Sequence, residues 1–369
     1  MNSLVRSHLS QPKKLVGVLL SPHPNPLPKG EGAFIRSIFS VSNFVSFIHN
    51  RPCMSPRSRL ASRILKTFLP IVLVIVLVFV GICFWLVRSI TRPPRGAYLV
   101  TPQSFSHVTG PMLQAQDVTW KNHDGTQARG WLIRGAAGAP AVILLHSYGA
   151  DRSWLLNLAV KTNETTNFTV LWPDLRGHGE NPPVNASTFG TVEGDDVTAA
   201  IDYLKTLKTT SGTPQVGPRI GLYGIELGAY AALDAAKRSP EVRALALDSI
   251  PGSPDDLVRA ALKSRTGMNN GVLQFLARTA LSVYAMGKFV STPSCDIARA
   301  IKGPRVLILA GAEGDPWRRT TLDTAPCFSP PPEIKRDLPL TGANLPTSTG
   351  QQEEAYDRPL IEFLDKALR

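Results

Sequence analysis

The longest apolar segment of the chain spans residues 68–87, where twenty consecutive residues carry no charged side chain. A helix of twenty residues is about 30 Å long, which matches the thickness of bilayer hydrocarbon. A cleaved signal peptide has a shorter apolar region that ends in a small-residue cleavage site, and the sequence LVRSITRPPRG at 86–96 contains no such site. We therefore predict an uncleaved transmembrane helix, a signal anchor, over residues 68–87.

Beyond residue 112, short continuous apolar runs alternate with segments of helical spacing. A hairpin is predicted around Asp124-Gly125, because this dipeptide favours a tight turn between strands. Further strands are predicted at 141–146, 168–174, 219–224, 243–248 and 304–311, with a weaker one at 333–340. Helices are predicted at 150–161, 192–207, 226–237 and 353–369. This alternation predicts an α/β protein with a mostly parallel, doubly wound sheet.

About fifty residues separate the strands that end at Asp248 and begin at Pro304, far more than one crossover helix needs. Residues 260–290 have apolar positions at helical spacing and predict two helices there. We expect residues 252–302 to form a small helical cap over the carboxyl edge of the sheet. Packing of the same helices against the body of the domain is the alternative.

The net charge of +12 is unevenly distributed. Residues 1–95 contain 13 Lys and Arg and one acidic residue, whereas residues 96–369 contain 27 of each sign. The folded part is thus neutral overall, which argues against a nucleic-acid partner. Five basic residues precede the apolar segment closely and three follow it, which favours a cytoplasmic N-terminus and a periplasmic or extracellular domain. These residues are Arg51, Arg57, Arg59, Arg63 and Lys66 before the segment, and Arg88, Arg92 and Arg95 after it.

The pattern divides the chain into a leader (1–53), a basic cytoplasmic segment (54–67), the membrane helix, a linker (88–112) and the large domain (113–369). The string SPHPNPLPKGEG in the leader resembles a translated repeat element found upstream of bacterial genes, which would make Met54 the start. A disordered cytoplasmic tail is the alternative. Cys295 and Cys327 lie in the large domain, where either a disulfide or two free thiols fits the sequence.

Four strings in the large domain resemble the α/β-hydrolase family, in particular its serine aminopeptidase and monoacylglycerol-lipase-like branch. They are the Asp-Gly hairpin, LLHSYGADR (144–152), DLRGHGE (174–180) and GLYGIELGAY (221–230). The resemblance implies an α/β-hydrolase fold for the domain. It also implies that Ser147 and Tyr148 belong to the oxyanion loop, and that Ile225 and Leu227 flank the nucleophile position.

The family's G-x-S-x-G motif reads Gly224-Ile225-Glu226-Leu227-Gly228 in this chain. Glu226 has no hydroxyl with which to attack a carbonyl carbon, so the serine mechanism is excluded at this position. The resemblance also implies a histidine base later in the sequence, yet none follows His178. The loop expected to carry it reads TGANLPTSTG, with Asn344 or a neighbour at that position.

Three hypotheses about function remain. The first is a membrane-anchored, non-catalytic protein that acts by binding or by supporting the cell envelope. The second is a hydrolase of ester or amide bonds that uses Glu226 with His146 and Asp315, the residue that matches the family's acid. The third is an alkyl-enzyme mechanism of the dehalogenase or epoxide-hydrolase type, with Glu226 as the nucleophile. No metal, nucleotide or other cofactor motif is present in the sequence, and it does not indicate an oligomeric state or a ligand.

Overall fold

A computed structural model of the protein describes residues 56–104, 115–338 and 350–369. The first element is a 36-residue helix, α1 (Pro56–Thr91). Its segment Ser62–Thr91 is long and apolar enough to cross a membrane. The helix continues past Val87, and its last turns are buried against the large domain, with Leu86 and Ile90 in the domain's hydrophobic core. The apolar surface of α1 before residue 85 is mostly exposed.

The large domain is built on an eight-stranded sheet with strand order β1-β2-β4-β3-β5-β6-β7-β8. The predicted hairpin is confirmed, because the first two strands pair antiparallel around Asp124-Gly125. The second strand also pairs antiparallel with the fourth, and the remaining neighbours are parallel. The strands are β1 (Gln116–Lys121), β2 (Gln127–Ile133), β3 (Ala139–Leu145), β4 (Thr169–Pro173), β5 (Val216–Ile225), β6 (Val242–Asp248), β7 (Arg305–Gly311) and β8 (Glu333–Leu338).

Helices cover both faces of the sheet, as the alternation of elements predicts. On one face α2 (Leu156–Thr166) and α9 (Gln351–Leu368) bury their apolar residues in one core. On the other face α3 (Glu193–Thr206) and α4 (Leu227–Arg238) form a second core, which also includes the end of α1. The site described below lies at the carboxyl end of β5, where the chain turns into α4.

The segment between β6 and β7 forms the two helices predicted from residues 260–290 and, beyond them, a third that was not predicted. They are α5 (Pro254–Thr266), α6 (Gly271–Tyr284) and α7 (Ser294–Ala300). The helix α7 has only seven residues, which is too short for helical periodicity to be recognised. A further short helix, α8 (Arg318–Thr324), follows β7. A disulfide joins Cys295 of α7 to Cys327 beyond α8. Of the two alternatives that the sequence left open, a disulfide or two free thiols, the structure has the disulfide.

The helix predicted at residues 150–161 differs in both bounds. A 3-10 turn at Arg152–Leu155 comes first, because the Asp151 carboxylate accepts the Ser153 N–H at 2.8 Å and caps that turn. The α-helix then continues to Thr166. Residues 339–340 of the weak strand and Asn344 of the predicted histidine loop lie outside the described residues.

Candidate functional site

Glu226 occupies a sharp turn between β5 and α4 with a strained backbone, φ 52° and ψ −104°. Two glycines make the turn sterically possible. A Cβ on Gly224 would lie 2.2 Å from the Gly228 carbonyl oxygen, and one on Gly228 would lie 2.4 Å from that of Leu145. A non-glycine residue in such a conformation costs on the order of 1–3 kcal/mol. The chain therefore retains the strained elbow that presents a nucleophile, but presents a carboxyl group on it.

The residues on either side of Glu226 fix this turn within the core. Ile225 ends β5 opposite Asp248, and Leu227 begins α4; both side chains are buried. The Glu226 N–H donates to the Asp248 carbonyl oxygen at 3.0 Å. The backbone of the elbow is thus tied to the neighbouring strand.

The backbone N–H of Tyr148 lies close enough to the carboxyl group of Glu226 to favour its charged form. The side chain retains some solvent-accessible surface, although protein atoms surround it closely. Burial raises the pKa of Glu226 to about 7, the Tyr148 N–H opposes the rise, and the nearby charge of Asp315 adds to it. An amide of the predicted oxyanion loop therefore lies beside the protein's own carboxyl group.

Asp315 lies close enough to Glu226 for its charge to act on that carboxyl group. Its Oδ1 accepts the Trp317 N–H at 3.0 Å, which shapes the turn after β7. Its Oδ2 is buried without a hydrogen-bond partner among the described residues. The structure thus brings Glu226 and Asp315 together, as two acidic groups rather than as an acid and a base.

His146 follows directly after β3, and backbone groups engage both of its ring nitrogens. Nε2 accepts the Leu175 N–H at 3.0 Å. Because that contact fixes Nε2 as an acceptor, Nδ1 carries the proton and donates to the Ser147 carbonyl oxygen at 2.8 Å. The ring is fully buried, and burial lowers the pKa of His146. A neutral ring in this arrangement has no free lone pair for a proton from Glu226 or from a water molecule.

His178 packs edge-on against His146, with the ring centroids 5.1 Å apart. Its Nδ1 donates to the Arg176 carbonyl oxygen at 2.9 Å, and its Nε2 is buried without a partner among the described residues. Burial, reinforced by His146, lowers the pKa of His178 to about 3. An imidazole with so low a pKa is a poor general base at neutral pH.

Ser147 and Tyr148 connect the elbow with the end of α1, a role that sequence reasoning missed. The carbonyl oxygen of Ser147 accepts the Ala150 N–H at 3.2 Å, which closes the loop. The hydroxyl of Tyr148 donates to the carbonyl oxygen of Ile90, and its ring stacks on Phe189 at 5.5 Å. Tyr148 thus contacts Glu226 through its backbone and α1 through its side chain.

Other parts of the domain also hold the last turn of α1. The Ser187 N–H donates to the carbonyl oxygen of Thr91 at 2.8 Å, and Arg265 of α5 donates to that of Arg92 at 3.0 Å. These acceptors are carbonyl groups at the end of a helix, which have no partner within the helix itself. The end of α1 is therefore bound jointly by the oxyanion loop, the body and α5.

The described residues contain no group of three or more His, Cys, Asp or Glu side chains placed to hold a metal ion. The elbow contributes two carboxyl groups, Glu226 and Asp315, and the two histidines beside β3 face backbone groups instead. The polar groups at the elbow are therefore two carboxyl groups and one backbone amide.

The parallel sheet, the strained elbow after β5 and the helical insertion after β6 define an α/β-hydrolase fold. The chain belongs to the alpha/beta hydrolase family, whose profile matches residues 142–352. Among solved structures, a Pyrococcus furiosus esterase aligns over 76% of this chain and 98% of its own, with 20% identity and a TM-score of 0.56. The structure of DcsB in complex with its substrate analogue covers 69% of this chain and all of its own, with 16% identity and a TM-score of 0.52.

Among curated proteins, thiohydrolase apmlB of Arthrinium phaeospermum is 30% identical over 131 residues. That alignment covers 35% of this chain and 41% of the thiohydrolase. Thiohydrolase aneE of Aspergillus aculeatus is 27% identical over 128 residues, which cover 34% of this chain and 39% of the relative. The chain therefore spans about two fifths of the length of the curated relatives that it matches.

Proposed function

We propose that this chain is a membrane-anchored, non-catalytic member of the alpha/beta hydrolase family that acts by binding at the cell envelope. The observation that carries the proposal is the bonding of His146, whose two ring nitrogens both contact backbone groups. Hydrolysis at Glu226 needs a base that activates water, and no histidine follows His178 in the sequence. The elbow then presents a carboxyl group without a histidine that could take up a proton.

The state of Glu226 supports the same proposal. A nucleophilic carboxylate must be ionised, whereas a pKa of about 7 leaves a large fraction of Glu226 protonated at neutral pH. The Tyr148 N–H, which in the family pattern belongs to the oxyanion loop, interacts electrostatically with that same carboxyl group. Both features disfavour the alkyl-enzyme mechanism.

The helix α1 supplies the proposed anchor, because apolar side chains point outward around it over residues 69–84. The positive charges before the span favour a cytoplasmic N-terminus. The disulfide Cys295–Cys327 supports placement of the large domain in an oxidising, non-cytoplasmic compartment. Alkaline phosphatase fused after Arg369 should therefore be active. An inactive phosphatase fusion, together with fluorescence from a second fusion to a reporter that fluoresces only in the cytoplasm, would show the opposite orientation.

Turnover by the purified full chain tests the absence of catalysis. The panel should include thioesters, because the partial curated relatives are thiohydrolases, together with carboxylic esters, amides, epoxides and haloalkanes. We expect the wild-type protein and the Glu226→Gln variant to release product no faster than buffer. Product formation that Glu226→Gln abolishes would show a carboxylate-dependent enzyme, and turnover by both proteins would show a second catalytic site. Either result would overturn the proposal.

A further inference from the structure

The helix α6 of the cap has two apolar faces. One face, with Ala277 and Leu281, is buried in the core of the domain. The other face is exposed and contains Val272, Phe275 and Val283, whose solvent-accessible fractions are 69%, 66% and 76%. These three positions are spaced as the residues of one helical stripe. A surface helix of a water-exposed domain would place polar residues on that stripe.

The exposed stripe of α6 lies beside the membrane helix. Phe79, Cys83 and Val87 of α1 and Phe275 and Val283 of α6 line the same groove. The groove has a volume of about 420 Å³, and almost all of its lining surface is apolar. The two helices therefore face each other across this groove.

We propose that α6 inserts its exposed apolar stripe into the same bilayer that α1 crosses, with lipid acyl chains in the groove between the two helices. This inference rests on the proposed anchoring of α1. If α1 spans the membrane, its residues 79–84 lie within the hydrocarbon, and the groove wall formed by α6 lies at the same depth. Continuity with the span thus identifies the occupant as lipid.

The chemistry of α6 fits this position. Its exposed stripe continues into Met286, of which 90% is open, and Val290, which follow the end of the helix. The polar side chain of Arg278 lies on a different strip of the helix. An amphipathic helix of this kind buries its apolar face at the boundary between headgroups and acyl chains.

Nitroxide scanning of the full chain in phosphatidylcholine/phosphatidylglycerol vesicles tests the inference. The background carries Cys53→Ser and Cys83→Ala, so that a single added cysteine takes the label. The test position is Val283→Cys, and Arg278→Cys on the polar strip of the same helix is its control. Val76→Cys marks the span, and Glu362→Cys on the exposed side of α9 marks water. The readout is the ratio of collisions with oxygen to collisions with a water-soluble nickel complex.

We expect a ratio several-fold higher at positions 76 and 283 than at 362, with position 278 below 283. A low ratio at 283 together with a high ratio at 76 would overturn the insertion of α6 and leave the anchor intact. Low ratios at both would overturn the anchor and, with it, this inference. Spin–spin broadening at 283 that disappears on dilution with unlabelled protein would place a second copy of the chain in the groove, which would also overturn it.

Discussion

Replacing Asp174 with alanine is expected to lower the free energy of unfolding by about 3–5 kcal/mol. This carboxylate is nearly inaccessible and accepts the Arg152 N–H at 3.1 Å, the Tyr98 hydroxyl at 2.7 Å and the Arg129 Nε at 3.2 Å. The Arg152 guanidinium also lies 3.4 Å from it. Removing Asp174 leaves the largely buried guanidinium groups of Arg129 and Arg152 without the carboxylate that they share. Removing one partner of a buried ion pair strongly destabilises the folded state, because it leaves the other charge uncompensated.

Thermal or chemical unfolding of the full chain in detergent measures this effect. Asp202 provides the matched control, because its contacts with His123 and Lys205 are exposed ion pairs at the surface. Asp202→Ala is expected to change stability by less than about 1 kcal/mol. Similar losses for the two variants would contradict the role assigned to Asp174. The presence of Asp174 in the string DLRGHGE would then not be explained by the buried ion pairs and hydrogen bonds of this residue.

Replacing Glu226 with glutamine is expected to stabilise the protein at alkaline pH. The folded pKa of about 7 lies above the usual value of 4.5, so the folded chain keeps a proton that the unfolded chain releases between these values. Stability attributable to Glu226 therefore falls as the pH rises from 4.5 to 7, and the loss is complete above pH 7. The shift corresponds to about 3 kcal/mol. The glutamine side chain is nearly the same size and carries no charge at any pH.

The measurement is the unfolding free energy of wild type and Glu226→Gln across this pH range. We expect a difference of less than about 1 kcal/mol near pH 5 and about 3 kcal/mol near pH 8.5, with the variant more stable. Glu362→Gln, on the exposed side of α9, controls for the loss of one negative charge from the protein. A difference that does not grow with pH would show that Glu226 is not held in a desolvated position.

The sheet could be predicted from the sequence because its central strands are short apolar runs, buried on both faces and separated by helical segments. The string 141–146 illustrates this, since the bounds of β3 agree with it within two residues. The elbow was also predictable, because Gly224 and Gly228 are the two positions of this turn at which backbone atoms exclude a side chain. In both cases the determinant is local in the sequence.

The state of the site could not be predicted, because its contacts join distant segments. His146 is bonded by the amide of Leu175, 29 residues later, and Tyr148 by the carbonyl group of Ile90, 58 residues earlier. Hydropathy marks Ile90 as part of an apolar region but does not show that the domain would bury it. Likewise, α7 is too short for a periodic pattern, and only its position in the fold brings Cys295 to Cys327.

In the proposed function, no histidine base serves the elbow. Placing a serine at position 226 with the Glu226→Ser variant and exposing it to a fluorophosphonate probe tests this claim directly. An active serine esterase of the same fold is the positive control, and unfolding curves verify that the variant is folded. We predict no covalent adduct at residue 226 by intact-mass and peptide analysis, because a hydroxyl without a histidine is not activated. An adduct at residue 226 would place a working base beside the elbow and contradict the claim.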